Sequence, residues 1–219
     1  MAVLSTSEYD ALYFEGAENT LAHNAGYSSY RRLNVKTKGL FSDRNVSIED
    51  STGNYYGDLC KSLNINLNSR FVGKRLLVIG SAYGYEVAQF RALGIDAYGI
   101  DVSQYAYDQA DPAIQPYLIV GDIRTAILSM GRNGYDYIFS RWFIECMSDD
   151  DLEVGTYAGK PLLTELTRVC KSGQVHITNP NSNPVYYNSK PLTEWQAMNW
   201  ETGTILVAND DFSNYVTVI

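Results

Sequence analysis

Apolar residues run without a break from Leu76 to Ile79 and are followed at once by Gly80-Ser81-Ala82-Tyr83-Gly84, the pattern of a buried strand entering a tight turn. From Tyr85 the spacing becomes helical, with Val87, Phe90 and Leu93 near one face, until Gly94 supplies a stop. Asp96 to Ile100 reads as a second strand ending on Asp101. Downstream, Tyr117 to Val120 predicts a third strand running into Gly121-Asp122-Ile123, and Tyr135 to Ser140 a fourth. Leu162, Leu163, Leu166 and Val169 predict a helix over Pro161 to Lys171, ended by Ser172-Gly173, before a fifth strand from Gln174 to Thr178. The run NPNSNPVYYNSKP must be a loop. Thr193 and Gln196 form a capping-box pattern for a short helix through Trp200, stopped near Gly203. Thr204 to Ala208 and Tyr215 to Ile219 then predict two closing strands. Strands that alternate with helices predict an α/β fold with a mostly parallel sheet.

The first 71 residues precede this alternation and contain no internal repeat. Ser7 to Gly16 predicts a short helix with Tyr9, Leu12 and Tyr13, and Ser51 to Ile65 an amphipathic one with Tyr55, Leu59 and Leu63 at spacings of four. We therefore divide the chain into a cap or lid segment, residues 1–71, and a main domain, residues 72–219.

Composition narrows the function classes. At 219 residues with 45% hydrophobic content, the chain suits one α/β domain with a modest extension. No apolar run approaches the length of a membrane span, and MAVLSTSEYD has no signal-peptide pattern, so a cytoplasmic protein without a membrane partner is expected. Its formal charge of −8 opposes a broad nucleic-acid surface, which would need clustered Lys and Arg. Cys60, Cys146 and Cys170 form no CxxC pair, and His23 and His176 lie far apart, so no metal site is expected. Oligomeric state is not encoded in any pattern found.

A strand, a turn of small residues, a helix and a second strand ending on an acid describe a Rossmann-like crevice for a nucleoside at the carboxyl ends of parallel strands. Asp101 lies about twenty residues beyond Gly80, the spacing at which a carboxylate accepts both ribose hydroxyl protons.

The wording GSAYGYEVAQFRALGIDAYGIDVSQYA resembles motif I and its successor in class I S-adenosylmethionine-dependent methyltransferases, in the branch whose turn reads G-x-A-x-G. That resemblance implies a seven-stranded, mostly parallel sheet with an antiparallel C-terminal strand pair and helices on both faces. S-adenosylmethionine is the implied cofactor, and a small-molecule, sugar or lipid-like acceptor the implied partner. Gly80, Ser81, Ala82 and Gly84 would face the methionine part, and Asp101, with Val102 beside it, would hold the ribose. Asp122 would accept from the adenine amino group while the Ile123 N–H meets the ring; its other role is to cap the helix that begins at Ile123. Ser140, at the end of the fourth strand, joins the implied cofactor set. Tyr13-Phe14-Glu15-Gly16 and Gly26-Tyr27-Ser28-Ser29-Tyr30 match elements that cover the pocket, with Tyr27 and Tyr30 implied to close over the sulfonium; ordinary aromatic packing is the alternative.

Several positions depart from the family pattern. Val78 stands where most members carry an acid, and Ala82 replaces the middle Gly of the commoner turn, a replacement that calls for a negative φ. Cys146 follows Ile144-Glu145 where many members have His. A base for a hydroxyl or amine acceptor would come from Glu145, Tyr30 or His23, Glu145 being equally readable as a structural carboxylate. Two other readings are a methyltransferase fold that has lost catalysis, and a short-chain NAD-dependent reductase using Tyr186 and Lys190, which Pro184 and Pro191 oppose.

Overall fold

The computed structural model describes residues 9–10, 13–14, 72–92, 94–155, 158–178, 188–208 and 211–219. Within them lie strands β1 (Arg75–Ile79), β2 (Asp96–Asp101), β3 (Leu118–Val120), β4 (Tyr135–Arg141), β5 (Cys170–Thr178), β6 (Ile205–Ala208) and β7 (Asp211–Thr217). The helices are α1 (Tyr85–Ala92), α2 (Gln104–Asp108), α3 (Ile123–Ala126), α4 (Leu162–Val169) and α5 (Leu192–Gln196).

One seven-stranded sheet runs in the order β3-β2-β1-β4-β5-β6-β7. Neighbours are parallel except β7, which pairs antiparallel with β6. Because Leu76 to Ile79 are all apolar, β1 takes an interior place between β2 and β4 and is buried on both sides. Alternate residues serve two cores. Leu77 and Ile79 pack with Ile100, Ile138, Leu206, Trp195 and the Leu162, Leu163, Leu166 and Val169 face of α4. Leu76 and Val78 pack with Ala97, Phe139, Ile177 and the Val87 and Phe90 face of α1. Val78 is therefore an interior strand residue with no exposure, flanked in register by Gly99 and Phe139.

Gly94, at φ +79°, ends the α1 region as expected, with its N–H on the Arg91 carbonyl at 2.9 Å. Several boundaries differ from the sequence reading. α4 stops at Val169 and β5 begins at Cys170, because Cys170 pairs with Tyr135 across a bulge and Ser172-Gly173 lies inside the strand. α5 starts at Leu192 after Pro191, with no side-chain cap, so Thr193 lies within the helix, and the helix ends at Gln196. β7 begins at Asp211. Of the expected N-terminal helix, Tyr13 and Phe14 are helical, with the Tyr13 N–H on the Asp10 carboxylate at 3.3 Å. The expected helix over residues 51–65 lies outside the described residues. Among described residues, no helix is long and apolar enough to cross a membrane.

The tightest contact between the sheet and the turn after β1 is at Gly99. A Cβ there would come within 2.6 Å of Ser81 Oγ and 2.8 Å of Leu118 Cδ2. Replacing Gly99 with Ala is expected to destabilise the fold by about 1–3 kcal/mol through overpacking. Urea unfolding of G99A beside wild type measures this, and an unchanged midpoint would contradict the packing.

Candidate active site

β1 ends in a turn that crosses over β2. The Gly80 and Ser81 N–H groups both reach the Ile100 carbonyl, at 2.9 and 3.1 Å. Gly80 sits at φ +71° and Gly84 at φ +77°, and a Cβ on Gly80 would meet the Phe143 ring at 2.8 Å. Ala82 also lies in the left-handed region, at φ +45°, which corrects the expectation of a negative value. Its N–H donates to Asp101 Oδ2 at 2.8 Å. Asp101 Oδ1 accepts from the Ser103 N–H at 2.9 Å. Both carboxylate oxygens are thus held by backbone donors, the Val102 N–H adding a third, and the group keeps acceptor capacity beyond them. Burial pushes the Asp101 carboxyl up from its ordinary value, against the lowering effect of those N–H groups. Val102 links the acid to Ser103, whose hydroxyl caps α2.

The turn after β3 abuts the same crevice, since the Gly121 N–H donates to the Asp101 carbonyl at 2.8 Å. Asp122 caps α3 by accepting from the Arg124 N–H, and Ile123 is buried in the α4-side core. The Arg124 guanidinium folds back onto Asp122 and continues to Asp151.

Ser140 lies in register with Ile79, the last residue of β1. Its side chain is fully buried and its hydroxyl is 2.7 Å from His176 Nδ1, in β5. His176 Nε2 is 3.1 Å from Gln174 Oε1, and Gln174 Nε2 donates to Glu201 at 3.3 Å. A carboxylate can only accept, so the Gln174 amide nitrogen faces Glu201 and its oxygen faces His176. His176 therefore carries its proton on Nε2, and Ser140 donates to Nδ1. The Ser140 hydroxyl is thus engaged in this buried chain.

Beyond β4, Trp142 adopts φ +53° with its N–H on the Ile177 carbonyl at 2.6 Å. Glu145 and Cys146 follow, both buried. Burial, followed by the nearby Glu145 charge, pushes the Cys146 thiol up, so it stays protonated at neutral pH. Tyr9 hydrogen-bonds to that thiol and is close enough to Asp101 to feel its charge; burial pushes the phenol up as well. Tyr9 packs on Tyr13, and Phe14 on Tyr83 and Tyr105, an aromatic cluster against the turn after β1.

The structure brings Gly80, Ser81, Ala82, Gly84, Asp101 and Val102 together, with Asp122 and Ile123 alongside. Tyr27, Tyr30 and His23 lie outside the described residues. So does Tyr186, while Lys190 pairs with Asp149 just before α5. Sequence reasoning missed the placement of Tyr9, which only its apolar spacing had marked, and the reach of Arg124 to Asp151, which left no sequence signal.

Residues 77–178 match the family model described as a methyltransferase domain. Among solved structures the chain is similar to a SAM-dependent methyltransferase from Archaeoglobus fulgidus, at 18% identity and TM-score 0.40, over 56% of this chain and 51% of that one. It is also similar to a SAM-dependent methyltransferase from Aquifex aeolicus, at 15% identity and TM-score 0.39, over 66% of each chain. The matched region thus spans about half to two thirds of those proteins. No curated protein matches the chain.

The buried His176 gives the fold a defined response to acid. Desolvation pushes it down to about 3, well below the ordinary imidazole value. Between those two values the unfolded chain binds a proton that the folded one does not, so stability is full above about pH 6.5 and falls as pH drops toward 3. His176→Gln is expected to flatten the pH 5–6.5 part of the urea-unfolding profile, above the range in which free carboxylates titrate. Equal slopes for variant and wild type would remove His176 as the cause.

Proposed function

We propose that the chain is a class I, S-adenosylmethionine-dependent methyltransferase, a reading supported by the match of residues 77–178 to a methyltransferase-domain model, that the crevice at the carboxyl ends of β1 and β2 holds S-adenosylmethionine, and that the methyl group passes to a small-molecule acceptor, of sugar or lipid-like type. The observation that carries the site assignment is the Asp101 carboxylate, fixed by the Ala82 and Ser103 N–H groups with acceptor capacity left over.

The residues present fit the cofactor. Ser81 Oγ is buried without a hydrogen-bond partner among the described residues, at the turn where the methionine end would lie. Gly80 and Gly84 give that turn its left-handed backbone, at φ +71° and +77°. In this reading Asp101 and Val102 orient the ribose, Asp122 and Ile123 border the purine, and Tyr27 and Tyr30 come from the N-terminal segment. When bound, the cofactor supplies an activated methyl on a sulfonium, so the chain need offer neither a nucleophile nor a metal. What remains for the protein is alignment of donor and acceptor, worth up to roughly 7–11 kcal/mol in favourable cases. Glu145, Tyr30 and His23 are the candidate bases for an acceptor that must lose a proton.

A methyltransferase fold that binds no donor is the competing reading, and Val78 and the protonated Cys146 are the residues that favour it. Calorimetric titration separates the two. S-adenosylmethionine and S-adenosylhomocysteine are expected to bind and NAD not to, and Asp101→Ala is expected to weaken S-adenosylhomocysteine by at least about tenfold. The raised Asp101 carboxyl adds a pH signature: affinity falls on acidification with a midpoint above the ordinary aspartate value of about 3.9. Unchanged affinity in a D101A protein whose circular dichroism is native would overturn the assignment.

A further inference from the structure

Three adjacent strand ends enclose the crevice. β2 delivers Asp101, β1 leads into the turn with Ala82 and Tyr83, and β4 leads into the segment carrying Cys146. Tyr9 has neighbours at all three. Its hydroxyl bonds the Cys146 thiol, its ring belongs to the cluster that includes Ala82 and Tyr83, and it lies close enough to Asp101 to feel that charge. A side chain so placed stands across the crevice that these strand ends enclose.

Its attachment is weaker than that of the aromatics after it. Phe14 is 2% exposed, with its ring centroid 5.1 Å from Tyr83 and 6.1 Å from Tyr105, which it stacks upon. Tyr13 is buried too, and Asp10 ties both residues down, its carboxylate accepting from the Tyr13 N–H at 3.3 Å and its carbonyl from the Phe14 N–H at 3.2 Å. Tyr9 is half-buried and is held by the Tyr13 ring, 4.8 Å away, and by the bond to Cys146. The thiol gives its single proton to the Trp142 carbonyl at 3.6 Å, so the phenol is the donor to sulfur. Sulfur is a weak acceptor, and water replaces it readily. Groups held by few buried contacts open first. Tyr9 can therefore leave the crevice while Phe14 stays seated.

We propose that Tyr9 is a gate across the crevice, latched shut by its hydrogen bond to the Cys146 thiol, so that a ligand enters and leaves only while the latch is open. That the ligand is the cofactor rests on the reading above; the gate itself does not. Cys146 reports its state. Alkylation needs the thiolate and access to it, both of which the closed arrangement denies, so modification proceeds through the open form. If the gate never opened, losing the Tyr9 hydroxyl would only remove a donor that favours the thiolate, and labelling would slow. The two roles thus give opposite signs.

The test is iodoacetamide alkylation of the full chain, followed separately at Cys146 and Cys170 by mass spectrometry. Tyr9→Phe, which keeps the ring, is expected to speed Cys146 labelling by about threefold or more, and Tyr9→Ala further. Cys170, buried at the start of β5, is expected to label as in wild type. Saturating S-adenosylhomocysteine is expected to slow Cys146 labelling in wild type, and Y9F to raise the association and dissociation rates of that ligand together, as read by surface plasmon resonance. Equal or slower Cys146 labelling in both variants overturns the gate. So does faster Cys170 labelling in step with Cys146, which marks a loosened fold. Faster Cys146 labelling in Y9F with unchanged ligand rates overturns control of ligand entry. If S-adenosylhomocysteine does not bind wild type, the cofactor reading has failed, and the labelling rates alone decide whether Tyr9 gates the crevice.

Discussion

The Asp101 carboxylate holds two parts of the chain in one geometry. One oxygen takes the Ala82 N–H from the turn after β1, the other takes the Ser103 N–H from the start of α2. The first of these bonds also explains how a residue other than glycine occupies a left-handed position. A left-handed L-residue costs roughly 1–2 kcal/mol, whereas a hydrogen bond to a charged group contributes about 1.5–3 kcal/mol. The bond therefore offsets the strain at Ala82, φ +45°. Loss of the acid would release the turn and the helix start together, so the same group that would bind ribose also shapes its own surroundings.

Position of the crevice follows from the sheet. β1 is apolar at four successive residues and so must be covered on both faces, which places it inside the sheet and leaves its carboxyl end flanked by β2 and β4. Gly80 can approach Phe143, and Gly99 can approach Ser81, only because neither has a side chain. Val78 belongs to this packing. An acid at that position would lie between Gly99 and Phe139 in an apolar layer, where an unpaired carboxylate is costly. Its absence keeps β1 apolar from Leu76 to Ile79.

Much of this was legible in the sequence wherever a local rule decided the outcome. The run Leu76 to Ile79, the stop at Gly94 and the acid ending β2 each follow from adjacent residues. Features set by distant partners were not legible. The left-handed Ala82 depends on a carboxylate from another strand, and the start of β5 at Cys170 depends on pairing with Tyr135 across a bulge. Thr193 and Gln196 fit a capping pattern, but Pro191 already fixes the chain direction and the helix begins one residue before Thr193. That the Ser140 hydroxyl bonds His176 shows only in the strand register, which sets the two side by side across β4 and β5. The link from Arg124 to Asp151 spans residues that no spacing rule connects.

Burial also decides which groups near the crevice can react. A cysteine beside an activated methyl group is a hazard if it ionises, because the thiolate is the nucleophilic form. Here Cys146 is buried next to Glu145, and both influences hold it protonated. Tyr9, which hydrogen-bonds to that thiol, is kept neutral by the same desolvation. The thiol also donates to the Trp142 carbonyl at 3.6 Å. A histidine in place of Cys146 would have an ordinary pKa near neutrality and could exchange protons there. The thiol cannot do so at neutral pH. On the proposed function, Cys146 is therefore an inert contact and not a proton carrier, and a proton lost by an acceptor would have to leave through another group.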